Sequence, residues 1–130
     1  MRRFFRIELI LFAIVALLGA SVVNVHAATN YKKLYYKTIK TNDGIRQAIK
    51  AAKKQLKKLG YEKNATAVQI MSDANDQIKY ANQVRAKAEK LAKEGKYKAA
   101  YLWAYQEFQY LVKAVVKLHV IQNLITSQKK

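Results

Sequence analysis

The sequence predicts an all-α protein built as an antiparallel three-helix bundle, and three observations predict it. The chain has no Pro and only four Gly in 130 residues, so little in it breaks a helix. Gly60 and Gly95 divide the chain beyond residue 28 into segments of nearly equal length, 29–59, 64–94 and 96–126. Within each segment the apolar residues recur at alternating steps of four and three, the repeat of a single helix face. Segments of this length form rods of about 45 Å at 1.5 Å per residue. Rods of equal reach joined by short turns lie antiparallel to their neighbours.

Ahead of the rods, residues 1–27 read as a signal peptide, leaving residues 28–130 as the helical-bundle domain. Arg2, Arg3 and Arg6 form a short basic region, Leu9 to Val23 is an apolar stretch, and Val25-His26-Ala27 offers compact residues at the positions a signal peptidase reads. The stretch is shorter than the roughly 20 apolar residues that span a bilayer as a helix. Cleavage after Ala27 would export the protein to the periplasm, the cell wall or the medium of a bacterium. Glu8 then stands at the border of the basic and apolar regions. The run FFRIELILFAIVALLGA, residues 4–20, also resembles the N-terminal segment of type IV pilins and pseudopilins. With Phe4 as first mature residue, Glu8 takes the fifth position that the family reserves for a glutamate. The resemblance implies a structural subunit, although Arg3 stands where that family has a small residue before its cut.

The first rod carries Ile45, Ile49, Ala52, Leu56 and Leu59 on one face, and the same phase run backwards passes through Asn42, Tyr35 and Tyr31. Thr41-Asn42-Asp43-Gly44 is turn chemistry, which favours a break there, with Asp43 capping a helix from Gly44 and four helices in the bundle if it occurs, the alternative being a polar patch on one continuous helix. The second rod, N-capped by Asn64, has an Ala-rich seam of Ala67, Ile70, Met71, Ala74, Ile78, Ala81, Val84, Ala88 and Leu91 that lets a neighbour approach closely. The third has a bulkier seam: Tyr97, Tyr101, Ala104, Phe108, Leu111, Val115, Leu118, Gln122 and Ile125. Bulky residues facing small ones are what an interdigitating core requires.

Composition narrows the function. The formal charge is +17, from 25 Lys and Arg against 8 acidic residues. Twenty of those cations are Lys, a hydrated point charge suited to loose attraction rather than the bidentate readout that Arg provides. The expected partners are anionic envelope polymers or a lipid surface, with no specific nucleic-acid recognition and no small-molecule substrate. Self-repulsion at such a charge opposes compaction, so a solubilising face alone does not account for it. The candidate polyanion-binding residues are Lys50, Lys53, Lys54, Lys57 and Lys58 at the end of the first rod. Lys87, Lys90, Lys93, Lys96 and Lys98, around the turn between the second and third, complete the set. Antiparallel packing brings the latter group near Lys32, Lys33 and Lys37, making both ends of the bundle positive.

The third helix also carries Leu102, Trp103, Tyr110, Val116, Val120 and Leu124 away from its seam, with Glu107 its only acid. A helix apolar all round needs more cover than two partners give. The cover is expected from residues 31–39 folding back as a fourth helix, from a second subunit of a homo-oligomer, from a membrane or from another protein. Catalysis is poorly supplied, and the expectation is a protein that is not an enzyme and carries no cofactor. There is no Cys, so no thiolate nucleophile or thiolate metal site exists, and His119 is the only His beyond residue 28, expected as a core or boundary residue beside the seam. Asp73 and Asp76 are expected as a solvated face in the N-terminal half of their helix. The reading is thus an exported helical-bundle binding or adaptor protein of the bacterial envelope. The alternatives are a membrane-active, toxin-like basic protein and a pilin-like subunit.

Overall fold

The structure is a computed structural model and describes residues 30–128. The signal-peptide and pilin-like readings of residues 1–27 lie outside the described residues. Three helices, α1 (Tyr31–Lys58), α2 (Ala65–Lys93) and α3 (Tyr97–Gln128), pack together, with one turn of 3-10 helix at Tyr61–Lys63 and no strand among the described residues.

The boundaries have local causes. Asn30 caps α1, its side-chain oxygen accepting from the Lys33 amide at 3.1 Å, and Asn64 caps α2 by accepting from the Ala67 amide at 3.0 Å. Gly60 stops α1 in the left-handed region at φ 80°. Gly95 does the same for α2 at φ 77°, and the amides of Gly95 and Lys96 return to the carbonyls of Ala92 and Leu91 at 3.0 and 2.9 Å. That pairing satisfies carbonyls the helix end would otherwise leave open.

The expected break at residues 41–44 does not occur: α1 is one continuous helix, so the bundle has three helices and not four. The residues of the supposed turn find other partners. Thr38 and Thr41 donate to the carbonyls of Leu34 and Lys37 one turn back, at 2.8 and 3.0 Å. Asn42 is buried and reaches across to α3, while Asp43 caps nothing and pairs with Arg85 of α2 at 3.0 Å. Gly44 is exposed with open space around it and has no positive φ.

Helix α3 is central. Both α1 and α2 pack along it, α1 in the same direction and α2 in the opposite one, as Asn42 beside Ala104, Arg85 beside Glu107 and Tyr80 beside Tyr110 show. Contact on two sides widens its buried surface beyond one seam. Ala100, Glu107, Ala114 and Ile121 are buried in addition to the residues of the predicted stripe from Tyr101 to Ile125. Helices α1 and α2 meet one another largely through long polar side chains: Arg46 donates to Asn82 at 2.6 Å and Lys53 to Asn75 at 2.7 Å.

The core has two parts. Ile45, Ile49, Leu56, Met71, Leu111, Leu118 and Ile121 belong to an aliphatic cluster, whereas Leu34, Tyr35, Ala88, Ala100, Tyr101 and Ala104 form a smaller one flanked by Tyr31, Tyr97 and Trp103. The start of α1 serves the second cluster as part of a continuous rod. It does not fold back as a fourth helix, and it leaves the outer side of α3 uncovered among the described residues.

Candidate functional site

Between the two clusters sits a charged layer that the sequence did not disclose. Glu107 of α3 is 0% exposed, and all three helices converge on it. Asn42 donates from Nδ2 to Glu107 Oε1 at 2.8 Å and to the Ala104 carbonyl at 3.0 Å. Arg46 donates from Nε to Oε2 at 2.8 Å, with its Nη2 at 2.7 Å from the same oxygen. Arg85 Nη1 lies 3.0 Å from Oε2 and 3.0 Å from Asp43 Oδ1, while its Nε pairs with Glu89 at 3.0 Å. Burial taken alone would lower the Arg85 pKa, but the bond to Asp43 and the charge and bond of Glu107 outweigh it and raise the pKa. Glu107 thus ties all three helices together through one buried side chain. Networks of this kind specify which helix faces meet, since desolvation offsets most of their net attraction.

The layer also sorts the charges. Both arginines of the described segment are engaged with Asp43, Glu89 and Glu107. Four carboxylates remain, those of Glu62, Asp73, Asp76 and Glu94, against eighteen lysines between residues 30 and 128. None of those lysines is buried. Lys54, Lys57 and Lys58 are exposed on the last turns of α1, with Lys50 a turn or more earlier and Lys53 half-buried against Asn75. Lys87, Lys90, Lys93, Lys96 and Lys98 are all exposed around the α2–α3 turn, and Lys96 lies 3.6 Å from Glu94. The start of α1 stands beside this second group, as expected: Lys32 lies over the Tyr97 ring at 5.6 Å from its centroid, and Lys98 over the Tyr31 ring at 5.8 Å. Each end of the bundle therefore carries lysines from more than one element.

The second end is also aromatic. Tyr35, Tyr36 and Tyr97 form one group of ring contacts and Tyr31, Tyr101 and Tyr105 another, with centroids 5.1 to 6.4 Å apart. Trp103 lies beside them, with the Lys87 ammonium 4.6 Å from its ring. Burial foremost, then the charge of Glu89, raises the Tyr35 phenol above its ordinary value; burial, then Tyr105, does so for Tyr101. A hydrogen bond with Tyr97 is the main cause of the same shift at the exposed Tyr36.

On α3 the six residues of the candidate protein-contact face divide. Leu102, Val116 and Val120 point outward, exposed by 57%, 55% and 41%. Leu124 is half-buried on the same side, and Gln109 and Lys113, both exposed, interrupt the line. Trp103 and Tyr110 are half-buried and lean toward α2, Trp103 under Lys87 and Tyr110 at 5.6 Å from the Tyr80 ring. His119 is exposed and not a core or boundary residue, because the turn of α3 that buries Leu118, Ile121 and Gln122 rotates it to solvent. A cleft of about 210 Å³ opens between α1 and α2, lined by Arg46, Ile49, Lys50, Lys53 and Ile78 over Leu111.

Among the described residues no group of three or more His, Asp or Glu is placed to hold a metal, and no helix is long and apolar enough to cross a membrane. The chain matches no protein family, curated protein or solved structure.

Proposed function

We propose that this chain is an exported, non-enzymatic helical-bundle binding or adaptor protein of the bacterial cell envelope. Its first 27 residues act as a signal peptide, its lysines hold it to anionic envelope polymer, and the outer side of α3 meets a protein partner. One observation carries the reading: the arginines are engaged with three of the carboxylates, so the lysine charge on the outside is almost unopposed. Hydrated ammonium groups on flexible stems suit a polymer of repeating phosphates, which demands charge density more than shape. The exposed Leu102, Val116 and Val120 support the protein-contact part.

Isothermal titration of the Ala28–Lys130 protein with a teichoic-acid-type polymer or polyphosphate tests the reading. Saturable binding at low salt is expected, together with an unbroken dye-leakage baseline from anionic liposomes. Absence of binding would overturn the reading, and leakage would replace it with the membrane-active one. Mass spectrometry of the natively produced protein tests the export step: a start at Ala28 is expected, and a start at Phe4 would give preference to the pilin-like subunit.

A further inference from the structure

The ends of the bundle are alike in lysine content and unlike in everything around the lysines. Five of the nine tyrosines and the one Trp gather at the end where α1 and α3 begin, and the other end has Tyr61 alone. We propose that the tyrosine end is a docking surface for anionic lipid headgroups, seating the bundle end-on against a bilayer with its rings at headgroup level. The proposal rests on the reading that the lysines face an anionic envelope component, and it names that component for one end.

Three features select a lipid surface over other polyanions. First, three of the rings at this end already carry a cation: Lys32 lies over Tyr97, Lys98 over Tyr31 and Lys87 over Trp103. A base or a sugar would have to displace those ammonium groups to stack, whereas a headgroup layer takes ring and cation together. Amphipathic rings and long lysine stems both keep an apolar body beside a charged or polar tip, the arrangement that a membrane interface favours. Second, this end offers something to insert. Tyr36, in the second turn of α1, is 52% exposed. Third, the cations are placed against local electrostatics. Lys32 and Lys33 lie in the first turn of α1 and Lys98 in the first turn of α3, and neither turn contains an acidic residue. Helix N-termini are already positive, so stability does not explain these lysines, while attraction to a dense anionic surface does. The dipole does account for Lys90 and Lys93 in the last turn of α2 at this end, as it does for Lys57 and Lys58 in the last turn of α1 at the opposite one.

Trp103, the only Trp, reports on this end directly. The experiment measures binding of the Ala28–Lys130 protein to vesicles of equal phosphatidylglycerol and phosphatidylcholine, and to phosphatidylcholine alone, by sedimentation and by Trp103 emission. Two triple variants remove equal charge: Lys32→Gln/Lys33→Gln/Lys98→Gln and Lys54→Gln/Lys57→Gln/Lys58→Gln. A lysine near an anionic surface is worth about fivefold in affinity. The first triple is therefore expected to weaken anionic-vesicle binding by about 100-fold, and the second by less than about tenfold. Trp103 emission is expected to shift to the blue on anionic vesicles and to be quenched by brominated acyl chains, in the parent protein and in the second triple alike. Equal loss in the two triples, or an unchanged Trp103 spectrum on protein that sediments with vesicles, would overturn the proposal. So would tighter binding of a single-stranded oligonucleotide than of polyphosphate of equal charge. Polyphosphate binding separates the two levels: if it persists while the end preference fails, only the docking proposal falls, and if neither polyphosphate nor vesicles bind, the proposed function falls with it. Circular dichroism of each variant confirms the fold.

Discussion

On one side of Glu107 the helices meet through Ile45, Ile49, Leu56, Leu111, Leu118 and Ile121; on the other they meet through Leu34, Tyr35, Ala100, Tyr101 and Ala104. The first half is largely aliphatic, with Phe108 as its one buried ring. The second is built from amphipathic rings whose outer members, Tyr31, Tyr36 and Tyr97, are only partly covered and lie among lysines. The two halves divide the labour. The aliphatic half holds the three rods together, and the aromatic half trades burial for a surface that is apolar and cationic at once. Glu107, with its partners on α1 and α2, fixes both halves in one register.

Removing that joint has the largest expected effect. Glu107→Ala leaves Arg46 and Arg85 without their buried counter-charge, and breaking such a pair by deleting one partner costs about 3–5 kcal/mol. Urea denaturation should show a loss of that size with the helical signal retained at low denaturant. A loss below about 1 kcal/mol would mean that the halves do not depend on the layer.

High pH should separate the halves next. The Tyr35 and Tyr101 phenols titrate above their ordinary value of 10 in the folded protein, so the neutral form is the one the fold favours. Their contribution is complete below pH 10 and is lost as pH rises through the elevated folded values. Phenolate absorbance at 295 nm and Trp103 emission should change together above pH 10, ahead of the helical circular-dichroism signal. A simultaneous collapse of all three would deny the aromatic half its separate behaviour.

The junction itself gives a smaller test. Because Gly44 is exposed, within α1 and clear of neighbours, Gly44→Ala should raise stability by about 0.5–1 kcal/mol, the usual helix-interior difference. Destabilisation would mean that α1 breaks there. Smallest is Lys33→Glu, which exchanges an unfavourable charge in the first turn of α1 for a favourable one. It should raise stability by about 0.3–1 kcal/mol while weakening anionic-vesicle binding. A fall in both, or a rise in both, would remove the conflict between folding and docking that marks the tyrosine end.

Much of the architecture was legible in the sequence because it follows from local rules. The two glycine stops, the Asn64 cap and the four-three seams need only neighbours within a turn or two of the chain. What escaped reading depends on several bodies. Asn42 fell in the phase of the first seam, a visible signal, yet its neighbours looked like a turn. Its true partners, Ala104 and Glu107, lie more than sixty residues away. Glu107 read as the lone acid of a greasy helix. It is buried because α3 packs on two sides and receives one arginine from each neighbour, an arrangement no single periodicity contains. The gathering of tyrosines was equally hidden, since Tyr31, Tyr35 and Tyr36 join Tyr97, Tyr101 and Tyr105 only once α1 and α3 lie side by side with their N-termini level.

The central claim is that the outer lysines work as a field of charge. Its most direct test is the salt dependence of binding to teichoic-acid-type polymer between 50 and 500 mM salt, a range spanning Debye lengths from about 14 to 4 Å. Release of counterions by four or more lysines should make the logarithm of affinity fall linearly with the logarithm of salt, with a slope of about −3 or steeper at roughly 0.7 per contact. A slope near zero, with the polymer still held at the top of the range, would contradict the account.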